Sequence, residues 1–508
     1  MQIRWLFRFT YLYLLIPFIF FCMGWLRLTI SLPIVILMLW VFWGLWKNVA
    51  SAQEAITTRI TISAIILTGL WVFFSGVGGY AFQNWDHHWR NAVLRDLITY
   101  AWPVVYSAPE HGPIKMLVYY VGYWLPSALV GKALGFGAAN FFLFLWTWLG
   151  VFLVILHLSI KLKAPLIKTA FLLIFFSGMD ALGTLLFASD YPTLWPPIQH
   201  LEIWAGNLQY SSFTTQLFWV FNQAVPAWLC IVLILDWNRL FSKSQNPTFE
   251  FQSSLAQKTF IWALCFFLAP LASIGLFPYL LIEWVKQTNT KNIFKDVPFD
   301  ILFAAAVVVL ISYLYFSSNP AAQERGLQFI VLKDLLVFFL LEGGILWLLL
   351  APLKWRDPRW VVTGFLLIFI PFIQLGSGRD FVMRASIAPL FYLMMMTGET
   401  IFQKLSPRIL LFTFYILLLV GSLTPLYEIN RSVYRTFEYY FLLDESQRAQ
   451  PNLEPATHLE QGGAPEFEHP NAILADDIYT LTFMQDKLSK NFIANVRQSL
   501  YYRYIAPR

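Results

Sequence analysis

Apolar runs of membrane-crossing length constrain this chain more than any other feature. A helix rising 1.5 Å per residue needs about 20 apolar residues to traverse the hydrocarbon core of a bilayer. Eleven stretches meet or approach that length, at about 6 to 22, 28 to 46, 60 to 82, 139 to 157, 167 to 187, 213 to 236, 299 to 317, 331 to 353, 360 to 375, 385 to 402 and 409 to 426. Two further runs are interrupted, 116 to 134 by Pro126 and Gly131, and 259 to 285 by Pro270, Gly275 and Pro278. Only 13% of the 508 residues are charged, about half the share in an average soluble protein. The bilayer is therefore the solvent for most of the surface. The predicted fold is an all-α polytopic membrane protein with about 11–13 transmembrane helices over 1–426 and a polar tail over 427–508.

A net charge of +6 can indicate nucleic acid as a partner. Here the basic residues fall in short loops between apolar runs, the pattern of orientation signals, and nucleic acid is not expected. Arg4 and Arg8 put the N-terminus in the cytoplasm, and Lys47 with Arg59, the cluster Lys354, Arg356 and Arg359, and Lys404 with Arg408 take the same side. Segments 83–115 and 376–384 and the tail are then extracytoplasmic. If both interrupted runs are simple spans, Lys161, Lys163 and Lys258 lie outside. If both are re-entrant or interfacial hairpins, these lysines lie inside and loop 188–212 joins 83–115 on the outer side. The second assignment obeys the charge rule, and broken backbone at that depth requires surrounding protein or a water-filled cavity. Cys22, Cys230 and Cys265 sit inside apolar runs as packed thiols. Gly76, Gly78 and Gly79, like Gly131, are expected to let helices approach closely. The tail has a linker-like middle from Pro451 to Pro470, and its aromatic end, Phe492 to Tyr504, can return to the membrane surface or dock on the outer loops.

Three polar constellations could carry chemistry. After the third run come Asp86, His87, His88 and Arg90, followed by Tyr106, Glu110 and His111. A carboxylate beside two imidazoles can hold a divalent metal, through Asp86 and His88, or deprotonate a hydroxyl. The accompanying Trp85, Trp89 and Trp102 also fit an interfacial aromatic belt. Loop 188–212 interleaves Asp190, Tyr191, Trp195, His200, Glu202, Trp204, Gln209 and Tyr210. Aromatic faces among amides and carboxylates suit a sugar, and an ordinary solvated loop is the competing reading. Third, Gly376, Ser377, Gly378, Arg379, Asp380 and Arg384 form either a phosphate clamp or a simple salt bridge with snorkelling arginines. Within the spans, Asp180 and Glu342 each cost about 2.5–3.5 kcal/mol at a helix centre. They therefore need partners, either in an ion or proton path or in interhelical hydrogen bonds.

The stretches NWDHHWRNAVLRDL, WPVVY, YYVGYWLPSALVGKALG, QYSSFTTQLFW and RDFVMRASIAPLF resemble a bacterial branch of the GT-C superfamily of membrane glycosyltransferases, over roughly residues 60 to 400. The resemblance implies a bacterial inner-membrane enzyme that moves a sugar from a polyprenyl-phosphate donor to an extracytoplasmic glycan, lipid or protein acceptor. It implies that Asp86 acts as base or metal ligand with His87 or His88 assisting, and that any metal is a divalent cation, Mg or Mn. Substrate contacts are then expected from Arg90, Tyr106, His111, His200, Glu202, Gln209, Tyr210, Arg379 and Arg384. Two departures stand out. Asp86 follows the third apolar run, whereas the superfamily usually places its acid after the first. Asp-His-His also replaces the usual adjacent acidic pair, which leaves metal dependence open. The alternative function is a transporter or flippase of lipid-linked or polymeric saccharide, in which Asp180 and Glu342 matter more than Asp86.

Overall fold

The computed structural model describes residues 3–48, 62–108, 110–187, 195–197, 200–240, 247–288, 298–376, 378–403, 407–448, 452–454 and 491–507. Among these residues, nine helical segments are long and apolar enough to cross a membrane, with shorter apolar helices between them. The chain is an all-α polytopic membrane protein. Helices satisfy every backbone hydrogen bond within the segment, which is what a hydrocarbon solvent demands.

In chain order, α1 (Ile3–Trp25) and α2 (Leu28–Asn48) form an antiparallel pair, tied where Arg8 donates to the carbonyl of Trp46. α3 (Ile62–Phe74) leads to a surface segment with α4 (His87–Thr99), β1 (Val105–Ser107), β2 (Lys115–Leu117) and α5 (Leu125–Leu134). α6 (Phe136–Leu162) is followed by α7 (Leu166–Phe175) and α8 (Asp180–Phe187), the two halves of one interrupted crossing. Then come α9 (Phe213–Leu240), α10 (Pro247–Leu268), α11 (Pro270–Thr288), α12 (Phe299–Phe316) and β3 (Arg325–Leu327). α13 (Leu332–Phe339) joins α14 (Ile345–Lys354) through a π turn containing Glu342, and α15 (Pro358–Phe369) ends at β4 (Ile373–Leu375). The last helices are α16 (Asp380–Ala385), α17 (Ile387–Phe402), α18 (Arg408–Gly421) and α19 (Leu423–Phe437), and β5 (Ile493–Asn495) follows. α9 and α17 form the covered centre of the bundle, while α2 and α18 turn apolar faces outward. The three cysteines are buried thiols.

Several expected spans take a different form. The run at 60–82 stops being helical at Phe74, because Gly76, Gly78 and Gly79 adopt φ of +81°, +88° and +79° and turn the chain. All three take left-handed backbone, and Gly78 also serves helix contact, since a Cβ there would lie 2.9 Å from the carbonyl oxygen of Asn140 on α6. Gly131 serves contact as well, since a Cβ there would lie 2.5 Å from Ile98. The run at 116–134 is a strand, a 3-10 turn and the ten-residue α5. The run at 259–285 is a helical hairpin turning at Ala269–Pro270. Lys258 meets Glu283 at 2.9 Å and Trp284 Nε1 donates to Thr259 Oγ1 at 3.2 Å, pairings that only an antiparallel return allows.

The boundary expected between 426 and 427 marks no structural division, because it falls inside α19. Residues 491–507 dock on the segment between α3 and α6 and on the end of α1. β5 pairs antiparallel with β2, with Met116 opposite Ala494, in a sheet of order β1-β2-β5. Tyr501, fully buried, donates to Trp25 O at 2.7 Å. Except for 452–454, the linker-like middle lies outside the described residues.

One glycine fixes how α11 meets α16. A Cβ on Gly275 would sit 1.9 Å from the carbonyl oxygen of Ala385, the residue after Arg384. Backbone cannot yield as a side-chain tip can, and overpacking typically costs about 1–3 kcal/mol. Gly275→Ala is expected to lower the thermal unfolding midpoint of the detergent-purified protein, and an unchanged midpoint would show that the helices separate freely.

Candidate functional site

A cavity of about 1490 Å³ opens at one end of the bundle. Its wall includes Asp86, Arg90, His200, Gln209, Arg379 and Arg384, so the three constellations converge on one space. Trp85, Trp89, Trp204 and Trp219 supply aromatic faces, and Phe266, Leu271, Ile274 and Phe316 form an apolar side.

Asp86 sits at the N-terminus of α4, one helical turn before Arg90, whose Nη2 donates to it. Arg90 is itself fixed by donating from Nε to Trp219 O at 2.7 Å. The Asp86 side chain is 25% exposed at the cavity wall. Burial pushes its carboxyl pKa up, against the opposing pull of Arg90 and Arg384.

His87 and His88 do not face this space. His87 donates from Nε2 to Phe218 O at 3.2 Å and accepts at Nδ1 from Gln83 at 3.2 Å. Burial holds it neutral, with its pKa down to about 3. His88 donates from Nε2 to Glu454 O at 2.9 Å. Neither imidazole lines the cavity beside Asp86, and each commits its Nε2 to a backbone carbonyl, so the expected assistance and the Asp86–His88 metal pair are not assembled there. Among the described residues no group of three His, Cys, Asp or Glu side chains could hold a metal ion.

Other expected contacts also separate. Tyr106 donates to Asp96 Oδ2 at 2.6 Å beneath α4, and His111 is exposed away from the cavity. Tyr210 donates to Leu367 O at 2.7 Å in the core. Glu202 is buried behind the wall, accepting from Ser212 N at 2.9 Å and Gln209 Nε2 at 3.1 Å. Burial, then the charge of Asp180, pushes its pKa up to about 7. Asp190, Tyr191 and Ser377 lie outside the described residues.

The phosphate-clamp residues arrive on α16 and its leading turn, where Gly376 and Gly378 have φ of +82° and +55°. Arg384 is 5% exposed and lies 2.6 Å from Asp380 Oδ2 through Nη1, while its Nε has no hydrogen-bond partner. A buried guanidinium with donors to spare is built to meet an anion.

From the expected tail, Arg431, Glu454, Asn491 and Phe492 line the wall, and Glu428 lies behind it. Glu428 accepts from Trp219 Nε1 at 2.8 Å and from His200 Nδ1 at 3.3 Å. Arg431, 2% exposed, lies 3.4 Å from Glu428 and donates to Glu454 Oε2 at 2.8 Å. Glu454 also accepts from the backbone N–H of Trp85 at 3.1 Å, and its own N–H donates to Gln83 O at 2.8 Å. This strap pins the turn that carries Asp86. The signal was in the sequence, because Glu428, Arg431, Ser432 and Thr436 recur at three- to four-residue spacing and mark one helical face.

Below the wall, Asp180 and Glu342 meet where α7 breaks from α8 and α13 passes through its π turn. Ser177 Oγ donates to Asp180 Oδ2 at 3.2 Å and Trp204 Nε1 to Glu342 Oε1 at 3.0 Å, while Glu342 Oε2 has no hydrogen-bond partner. No protein-family model, curated protein or solved structure matches the chain, so the functional reading stands on this geometry alone.

Proposed function

We propose that the chain is a membrane glycosyltransferase moving a sugar from a polyprenyl-phosphate-linked donor to an extracytoplasmic hydroxyl acceptor. The observation that carries this reading is that Asp86 and the under-partnered Arg384 share one cavity whose other side is apolar. The apolar side reaches Tyr313, which also lines a second groove of about 400 Å³ between α10 and α12, so a lipid chain has a route from the bilayer to the charged wall. The positive-inside rule favours an extracytoplasmic cavity at the inner membrane of a bacterial cell. Lys47, Lys161, Lys354 and Arg359 sit at the helix ends opposite those that line it.

In this mechanism the acceptor oxygen attacks the anomeric carbon opposite the phosphate, with inversion. Asp86 takes the hydroxyl proton as the new bond forms. Arg384, with Arg379 at the rim, stabilises charge gathering on the departing phosphate. The indole faces along the wall suit the apolar faces of a sugar ring.

Asp86→Asn tests the base. Complementing cells that lack the chain, the variant is expected to insert and fold normally while the glycan or glycolipid product found with wild type disappears. Full product from the variant would remove Asp86 from the mechanism.

A second reading, a saccharide transporter or flippase, draws on the buried acids Asp180 and Glu342 inside the bundle. It predicts that Asp180→Asn stops substrate flux while Asp86→Asn does not.

A further inference from the structure

Resting on the glycosyl-transfer reading, the site as described has a base and a phosphate clamp but no acid for the leaving group. A sugar–phosphate bond breaks with its electron pair on the phosphate, whose second ionisation lies near pH 6. A proton delivered during departure makes that group a better leaver, and the donor should titrate near the working pH. Asp86 is committed to the acceptor, and the arginines do not give up protons.

We propose that His200 is that acid, a catalytic residue that hydrogen-bonds the departing phosphate through Nε2 and hands it a proton. His200 stands in the cavity wall, 13% exposed. Its Nδ1 donates to Glu428, whose carboxylate is in turn held by Trp219 and Arg431. A carboxylate fixed on one ring nitrogen sets the orientation of the imidazole and stabilises its charged form, leaving the other nitrogen for chemistry. The nearest carboxylate to Nε2 is Glu202 Oε2 at 3.7 Å, too far for a hydrogen bond. Gln209 Nε2, 3.4 Å away, donates weakly to Nε2 while the ring is neutral; protonation of Nε2 breaks that contact and turns its proton toward a ligand.

The surroundings favour the imidazolium. Glu428 and Arg431 face the ring from α19, Glu202 and Gln209 from its own loop, Trp219 from α9, Asp86 from the α4 turn and Asp180 from α8. Burial pulls the His200 pKa down, but the hydrogen bond and charge of Glu428 and the charge of Glu202 outweigh it and raise the pKa above its usual value, with Arg431 opposing. Asp86 and His200 feel each other's charge across the cavity, which puts proton acceptor and proton donor in one enclosure.

The step balances without a co-reactant. The acceptor O–H and the anomeric C–O(phosphate) bonds break, and the acceptor's electron pair makes the new C–O bond. The acceptor proton goes to Asp86 and the Nε2 proton of His200 goes to the phosphate. Proton return from Asp86 to His200 through cavity water resets the site.

Farnesyl phosphate, an isoprenyl phosphate with the headgroup of the released lipid, is the probe. Its affinity for the full-length protein in nanodiscs is measured by calorimetry from pH 5.5 to 8.5. Wild type is expected to lose about tenfold in affinity across that range as the imidazolium is lost, although the probe itself becomes more anionic. His200→Gln should bind weakly with that loss abolished, and His200→Lys, a permanent cation, should bind tightly throughout. A wild-type slope retained in His200→Gln overturns the proposal, as does equal destabilisation of both variants with parallel slopes, which would mark a purely structural histidine. Failure of wild type to bind, or binding indifferent to Arg384→Ala, defeats the phosphate site itself and with it the reading on which this inference rests.

Discussion

Arg384→Ala is expected to reduce the proposed glycosyl transfer by about 10²–10³-fold while leaving the protein folded, the scale seen when a preorganised donor to developing negative charge is removed. The separation of effects follows from where the charges sit. Arg384 is 5% exposed, whereas its ion-pair partner Asp380 keeps a side chain 30% exposed and is left in water-accessible space, not in a dry interior. Arg384→Lys should recover part of the rate, since it keeps the charge but loses the planar fork. Product formation in membranes, set against the thermal midpoint of each variant, measures both. A midpoint that collapses along with activity would make Arg384 a structural cation.

Arg431→Ala carries the largest expected cost in stability, about 3–5 kcal/mol, because it strips the cation from two carboxylates at once. Glu428 is 5% exposed and Glu454 17%, and both point at the guanidinium. Without it, the cheapest response is for Glu454 to withdraw and release residues 452–454 from the Asp86 turn. Limited proteolysis should then cleave near this strap far faster than in wild type. Arg431→Ala combined with Glu454→Gln should recover part of the lost midpoint, since one stranded charge is removed. Additive losses in the double variant would show that the two residues are not coupled.

Apolar run length identified the membrane class, and it did so because hydrocarbon imposes a length on any helix that crosses it. The same argument was blind to breaks. Run 167–187 reads as continuous, yet the chain opens at Ser177–Met179 so that Asp180 can reach Glu342. A hydropathy count cannot see that two acids distant in sequence come together. In the site, Asp86, His200 and Arg384 were legible because charged groups at the membrane edge need a reason to be there. His87 and His88 misled because adjacency in sequence says nothing about direction on a helix start. Both rings turn to backbone carbonyls. Glu428 and Arg431 were missed because the boundary was set where hydrophobicity ends, and α19 continues past it as an amphipathic helix.

The strap from Glu454 to Trp85 closes a contact between residues 369 positions apart. On a ribosome adding about 5–20 residues per second, the Asp86 turn waits on the order of 20–70 s for the segment that pins it. Throughout that interval the cavity wall is incomplete, so on the proposed reading a nascent chain already threaded into the membrane is expected to be inactive. Premature termination before residue 452 is then expected to yield inserted but inert protein, and competence becomes a property of the finished chain.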